Sequence, residues 1–101
     1  MEGRQLIMVH GLVQGVGFRP FVHRLAVECG LRGCVKNQRG AVLIEVQGDQ
    51  HTLEQFAHRL RHEAPPLARI ESIERRSLPV VAVESGEPQG FRIEPSEACQ
   101  P

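Results

Sequence analysis

Apolar residues cluster along this chain with two different periods. Leu6, Ile7, Met8 and Val9 run unbroken and are followed by Leu12 and Val13, which predicts a strand over residues 5–13, buried on at least one face. A glycine-punctuated turn follows at residues 14–19, and then Pro20, which suits a first helical turn because its missing N–H has no acceptor there. Phe21, Val22, Leu25, Ala26 and Cys29 recur at helical spacing, and Gly30 fits the stop just after the helix. Residues 31–37 read as a short strand and Gln38-Arg39-Gly40 as a hairpin turn. Residues 41–47 give the strongest strand pattern, with Val42, Ile44 and Val46 on one face. Asp49 or Thr52 caps a second helix, in which Leu53, Phe56, Ala57 and Leu60 form an amphipathic stripe. Pro65-Pro66 ends it by Ala64. Residues 68–78 predict a strand whose Ile70 and Ile73 break strict alternation and mark a bulge. Pro79, Gly86 and Pro88 make residues 77–89 loop-like, although the apolar run 80–83 suits a short edge strand. Residues 91–93 read as a last short strand. Residues 1–94 form the expected domain, and the polar residues 95–101 a linker toward downstream modules.

The order strand, helix, strand, strand, helix, strand makes two split βαβ units. Right-handed crossovers then predict an α+β, ferredoxin-like βαββαβ fold: a four-stranded antiparallel sheet, plus a short extra edge strand, with both helices on one face. Strands one and two run parallel with strand three between them, so their C-terminal ends share one edge of the sheet. The glycine loop and Asn37 meet there, two strand spacings or about 10 Å apart.

Composition narrows the function classes. The chain has 101 residues, enough for one core, and its twelve Lys and Arg cancel its twelve Asp and Glu. A neutral chain lacks the one-signed field that grips nucleic acid or an anionic membrane. RNA recognition on this strand order also lacks its stacking platform, because four Phe are the only aromatic residues apart from His and none forms a pair on the central strands. No apolar run approaches the roughly 20 residues of a membrane span, and residues 1–4 lack the apolar segment of a secretory signal. Cys29, Cys34 and Cys99 are odd in number with no C-x-x-C pair, which reads as reduced thiols in a cytoplasm, with Cys29 and Cys34 as small buried hydrophobes.

The candidate chemistry sits in the loop. Gly15 and Gly17 allow backbone conformations that converge successive N–H groups into an anion nest, and the loop leads into a helix N-terminus whose dipole favours negative charge. Arg19 adds a planar fork matched to two phosphate oxygens. A tight turn with a surface arginine would satisfy the same residues. Pro20 replaces the third glycine of a dinucleotide fingerprint, and there is no Gly-Lys-Ser/Thr of a Walker loop. His51, His58 and His62 lie on one side of the second helix, and His58 and His62 have the i, i+4 spacing of a metal pair. No carboxylate or third ligand stands evident beside them, so they read as a solvated face rather than a metal site. His10 and His23 read as structural and Arg39 as solvated. Glu71, Glu74, Arg75 and Arg76 suit an exposed, charge-protected sheet edge. The aliphatic window 41–46 is an aggregation hazard when exposed.

At these residues the chain resembles a family. Gly11-Leu12-Val13-Gln14-Gly15-Val16-Gly17-Phe18-Arg19, with Gly33-Cys34-Val35-Lys36-Asn37 and Gly40-Ala41-Val42-Leu43-Ile44-Glu45, resembles the acylphosphatase signature pair. Phe18-Arg19-Pro20-Phe21-Val22 and Pro65-Pro66-Leu67-Ala68-Arg69-Ile70-Glu71-Ser72-Ile73 are similar to one branch, the N-terminal domain of HypF carbamoyltransferases of nickel–iron hydrogenase maturation. The resemblance implies hydrolysis of a carboxyl phosphate, here carbamoyl phosphate, with Arg19 binding the phosphoryl group and Asn37 positioning the attacking water. It implies a phosphate-binding loop of Gln14, Gly15, Val16, Gly17, Phe18 and Arg19, which would also take a phosphate or sulfate ion. It implies downstream domains of the same protein as partners. No metal or cofactor is required, and a monomer is expected of the isolated domain. The alternative is a module that binds phosphate or carbamoyl phosphate with little turnover. Two departures flank Asn37: Cys34 replaces an aromatic residue and Arg39 an aspartate.

Overall fold

The two periodicities sort the side chains onto one shared interior. In chain order the elements are β1 (Glu2–Leu12), α1 (Phe18–Glu28), β2 (Arg32–Gln38), β3 (Ala41–Asp49), α2 (Gln50–His62), β4 (Arg69–Leu78) and β5 (Phe91–Ile93). The computed structural model describes residues 1–81 and 90–93. The sheet order is β4-β1-β3-β2-β5, antiparallel throughout except for β5, which pairs with β2 in parallel. The first four strands are the expected ferredoxin-like sheet, and β5 is the extra edge strand. Residues 80 and 81 lie outside any strand; the rest of the 80–83 run, the tail 94–101 and Cys99 fall outside the described residues.

One face of the sheet is covered. Ile7 and Val9 of β1, Val35 of β2, and Val42, Ile44 and Val46 of β3 join Val22 and Leu25 of α1 and Leu53, Phe56 and Leu60 of α2 in a single buried cluster. Each such side chain contributes roughly 1.5–3 kcal/mol relative to exposure. The aliphatic window of β3 is thus central and flanked by β1 and β2, while β4 is an outer edge that exposes Glu71, Glu74, Arg75 and Arg76. The bulge predicted in β4 is present. Pairing slips between His10 and Gly11, leaving Glu71 as the extra residue. Gly11 is required there, since a Cβ would lie 2.1 Å from the Arg69 carbonyl oxygen.

Local chemistry fixes the helix ends. α1 starts at Phe18, ahead of Pro20, which still occupies its first turn. It closes with Leu31 N–H donating to Ala26 O and Gly30 N–H to Val27 O, the two bonds of a Schellman turn. Asp49 rather than Thr52 caps α2, accepting from His51 N–H at 3.0 Å. Both described cysteines are half-buried rather than fully buried. Cys29 is the C-cap of α1, with an Arg59 nitrogen 3.9 Å from its Sγ. Gln47 is a buried polar side chain that the pattern did not single out. Its Nε2 donates to Glu2 Oε2 and Val81 O, and its Oε1 accepts from Val81 N–H, pinning the chain after β4 to the central strand.

Acid is expected to loosen this arrangement. Glu2 is held below the ordinary carboxyl range by hydrogen bonds from Gln47 and Arg32, and Asp49 by the Met1 ammonium. Arg75 does the same for Glu54, and Arg59 for Glu63. A carboxyl whose folded pKa is depressed contributes stability above its unfolded value and loses it as pH falls through the folded one. The Tm should therefore hold from neutrality down to the ordinary carboxyl range, about 4–4.5, and fall progressively below it. The slope will be shallow, because all four groups are solvent-exposed. A thermal melt that rises between pH 5 and pH 3 would contradict this.

Candidate functional site

The site is assembled by one turn and one hairpin. Residues 14–17 connect β1 to α1, with Gly15 at φ 77° and Gly17 at φ 79°, both left-handed. A Cβ at either glycine would meet nothing within 4 Å, so glycine is needed for the backbone angle and not for space. Val13 and Phe18 are buried and Val16 packs against the core, which anchors the loop from within while Gly15 and Gly17 stay exposed. Phe18 stacks obliquely on Phe21 at 5.6 Å between ring centres. Gly17 is the N-cap of α1; no side chain caps this end and its first turn carries no acidic residue. The first main-chain N–H groups of α1 and the positive end of its dipole thus have neither a side-chain cap nor an acidic residue of the first turn beside them. Arg19 is the second residue of α1 and half-buried, directly above these groups in sequence.

Sheet pairing brings Asn37 to the same end. Val9 of β1 lies opposite Val42 of β3, and Val42 opposite Asn37 of β2, so the three form one row across the strands. Residues in one row share a face, which puts Asn37 on the helix-covered side with Val9 and Val42. Two strand spacings, about 10 Å, separate its backbone from the end of β1. Asn37 Oδ1 is fully buried and has no hydrogen-bond partner among the described residues. A buried carboxamide oxygen in that state costs about 1–3 kcal/mol and leaves a lone pair able to accept a hydrogen bond.

The expected constellation thus divides cleanly. Gly15, Val16, Gly17, Phe18 and Arg19 form the loop and helix start, and Asn37 lies across the rim. Gln14 behaves differently from a simple loop residue: its Nε2 donates to Gln38 O at 2.8 Å and Ala41 O at 2.9 Å, across the sheet on the β2–β3 hairpin. Nothing in the spacing of the glycines signals that reach. Of the two departures near Asn37, Cys34 shares a row with Leu6 and Glu45 on the helix-free face, opposite to Asn37, so it does not surround that side chain as the sequence suggested. Arg39 is exposed at the hairpin tip, as expected.

The remaining titratable candidates have contacts of their own. His58 and His62 are exposed and stacked at 4.1 Å, with His62 Nδ1 2.8 Å from His58 O. Among the described residues no group of three His, Cys, Asp or Glu is arranged to hold a metal ion, and no helix is long and apolar enough to cross a membrane. His10 Nε2 lies 4.0 Å from a Glu74 oxygen, and His23 meets the Phe91 ring edge-on.

Comparison with known proteins shows the family. A family profile for acylphosphatase matches residues 5–93. The carbamoyltransferase HypF of Rhodobacter capsulatus is 51% identical over 93 residues, covering 92% of this chain and 12% of that protein. An acylphosphatase of Archaeoglobus fulgidus is 42% identical over 82 residues, covering 80% of this chain and 91% of that one. The crystal structure of a full-length HypF in its phosphate- and nucleotide-bound form superposes with a TM-score of 0.81 at 33% identity, covering 97% of this chain and 13% of that one. The chain spans roughly a tenth of the length of the HypF relatives it matches.

Proposed function

Because the chain belongs to the acylphosphatase family, we propose that it hydrolyses a carboxyl phosphate, with carbamoyl phosphate as its substrate, as the N-terminal domain of a HypF-type carbamoyltransferase. The observation that carries this reading is the buried Oδ1 of Asn37, without a hydrogen-bond partner among the described residues, at the sheet end that also bears the glycine loop and Arg19.

The loop N–H groups and the Arg19 guanidinium hold the phosphoryl oxygens and take up charge as it shifts among them. Water donates a hydrogen bond to Asn37 Oδ1, which turns its lone pair toward phosphorus. The water oxygen bonds to phosphorus as the bond from phosphorus to the carbamoyl oxygen breaks, and carbamate leaves with the electron pair. The proton of the water passes to a phosphoryl oxygen, because an amide is no base at neutral pH. Carbamate is a stabilised anion, so the leaving group needs no general acid. The products are carbamate and inorganic phosphate, and both hydrogens and the negative charge are accounted for. Within a longer chain the downstream domains are the partners that receive the product, and the compartment is the cytoplasm.

The test is phosphate release from carbamoyl phosphate and from benzoyl phosphate. Turnover of carbamoyl phosphate well above the solution rate, with the higher kcat/KM of the two, is the expected result. Release at the background rate from both substrates would overturn the reading. If inorganic phosphate were still bound in that case, the chain would be a binding module.

A further inference from the structure

The two halves of the site are far apart in sequence and belong to different elements. One half is the turn entering α1; the other is Asn37 near the end of β2, just before the hairpin turn. Sheet pairing and the shared core hold both in place, and Gln14 adds a direct bond between them. This side chain starts one residue before the first loop glycine and spends both N–H bonds of its amide on Gln38 O and Ala41 O. Those two carbonyls flank the Arg39-Gly40 turn, and Gln38 is the residue directly after Asn37. Both distances, 2.8 and 2.9 Å, are those of well-formed N–H···O bonds. The donor capacity of the carboxamide is used up by the hairpin, so the Gln14 side chain offers no N–H to an anion in the loop.

We propose that Gln14 is a positioning residue that fastens the anion loop to the β2–β3 hairpin, so that a phosphoryl group in the loop and the Asn37 carboxamide are held at one fixed separation. The effect on turnover rests on the hydrolytic reading above. The fastening itself does not, and it has its own consequence. An anion that steadies the loop also steadies the hairpin, because the two are joined; the hairpin is already paired within the sheet, so the reciprocal gain in anion affinity is small.

The separation matters more for turnover than for binding. The nest is local to residues 15–19 and keeps its glycine angles and helix terminus without Gln14. In-line attack depends on where the water sits relative to phosphorus, and a displacement of about 1 Å can lower a rate by up to roughly 100-fold. Loss of the fastening should therefore appear in kcat and leave inorganic phosphate affinity nearly intact.

Two variants test this. Gln14→Met is as long and cannot donate, and Gln14→Leu removes the donor with a shorter, branched side chain. Gln14 is exposed at the surface, so neither variant opens the core. Both should lower kcat for carbamoyl phosphate by about 10- to 100-fold, with inhibition by inorganic phosphate changed by less than about threefold on the same reasoning. Amide hydrogen exchange, read with and without inorganic phosphate, gives the second arm. In the parent chain phosphate should slow exchange in both residues 15–19 and residues 38–41; in the variants it should slow only the first segment. Equal loss of turnover and phosphate affinity, unchanged kcat, or hairpin protection by phosphate in the variants as in the parent would each overturn the proposal. If the parent proves to have no turnover, the hydrolytic reading fails and the exchange arm still decides the fastening.

Discussion

Replacing Arg19 by alanine should lower kcat/KM for carbamoyl phosphate on the order of 10²–10³-fold, the range seen when one well-placed donor to developing charge is removed. The arginine is the planar, permanently charged element beside the loop, and it follows Gly17 by two residues at the start of α1. Its fork offers two parallel N–H bonds to phosphoryl oxygens, which main-chain amides alone cannot reproduce. Arg19→Lys should recover only part of the loss, since an ammonium restores charge without the fork. The fold should survive the change, because Arg19 is half-buried, lies outside the buried cluster and sits where alanine is a good helix former. A circular-dichroism melt beside the rate measurement separates the two effects. Full activity in Arg19→Ala would remove the arginine from the mechanism.

Asn37→Ala should be nearly as damaging to turnover, by about 10²-fold, and opposite in its effect on stability. The change deletes a buried oxygen that has no partner among the described residues, and so relieves a desolvation cost of about 1–3 kcal/mol. Set against a modest loss of packing, the expected outcome is a Tm equal to or above that of the parent. Inorganic phosphate should still inhibit the residual activity with little change, since the nest belongs to another element. Asn37→Asp should not rescue, because a carboxylate there adds a like charge facing the phosphoryl group. A variant that lost both activity and several degrees of Tm would show Asn37 to be a structural residue.

Much of this arrangement was legible in the order of the residues. Alternation at Val42, Ile44 and Val46, spacing at Leu53, Phe56 and Leu60, and the Pro65-Pro66 stop define β3 and α2 because one face of each is buried. The topology alone put the loop and Asn37 at one sheet end, and pairing through Val42 bears that out. What escaped were interactions of side chains that look solvated from sequence. Gln14 and Gln47 carry no period and no charge, yet each closes a gap between segments 24 or more residues apart. Such bonds depend on where carbonyls end up after folding, which no local pattern encodes. The side of Cys34 was misjudged for a simpler reason: three residues along a strand is an odd step, and odd steps change face.

Gly33 lies opposite Val46, and a Cβ on it would come within 1.8 Å of the Glu45 carbonyl oxygen, so β2 can seat against β3 in very few ways. A misalignment by a single position would turn the Asn37 carboxamide out to the other side of the sheet. On the proposed hydrolytic reading, catalysis then doubles as a proofreading signal. In a refolding mixture, recovered turnover would count only molecules whose strands have found their correct partners, whereas recovered ellipticity would also count the misaligned ones.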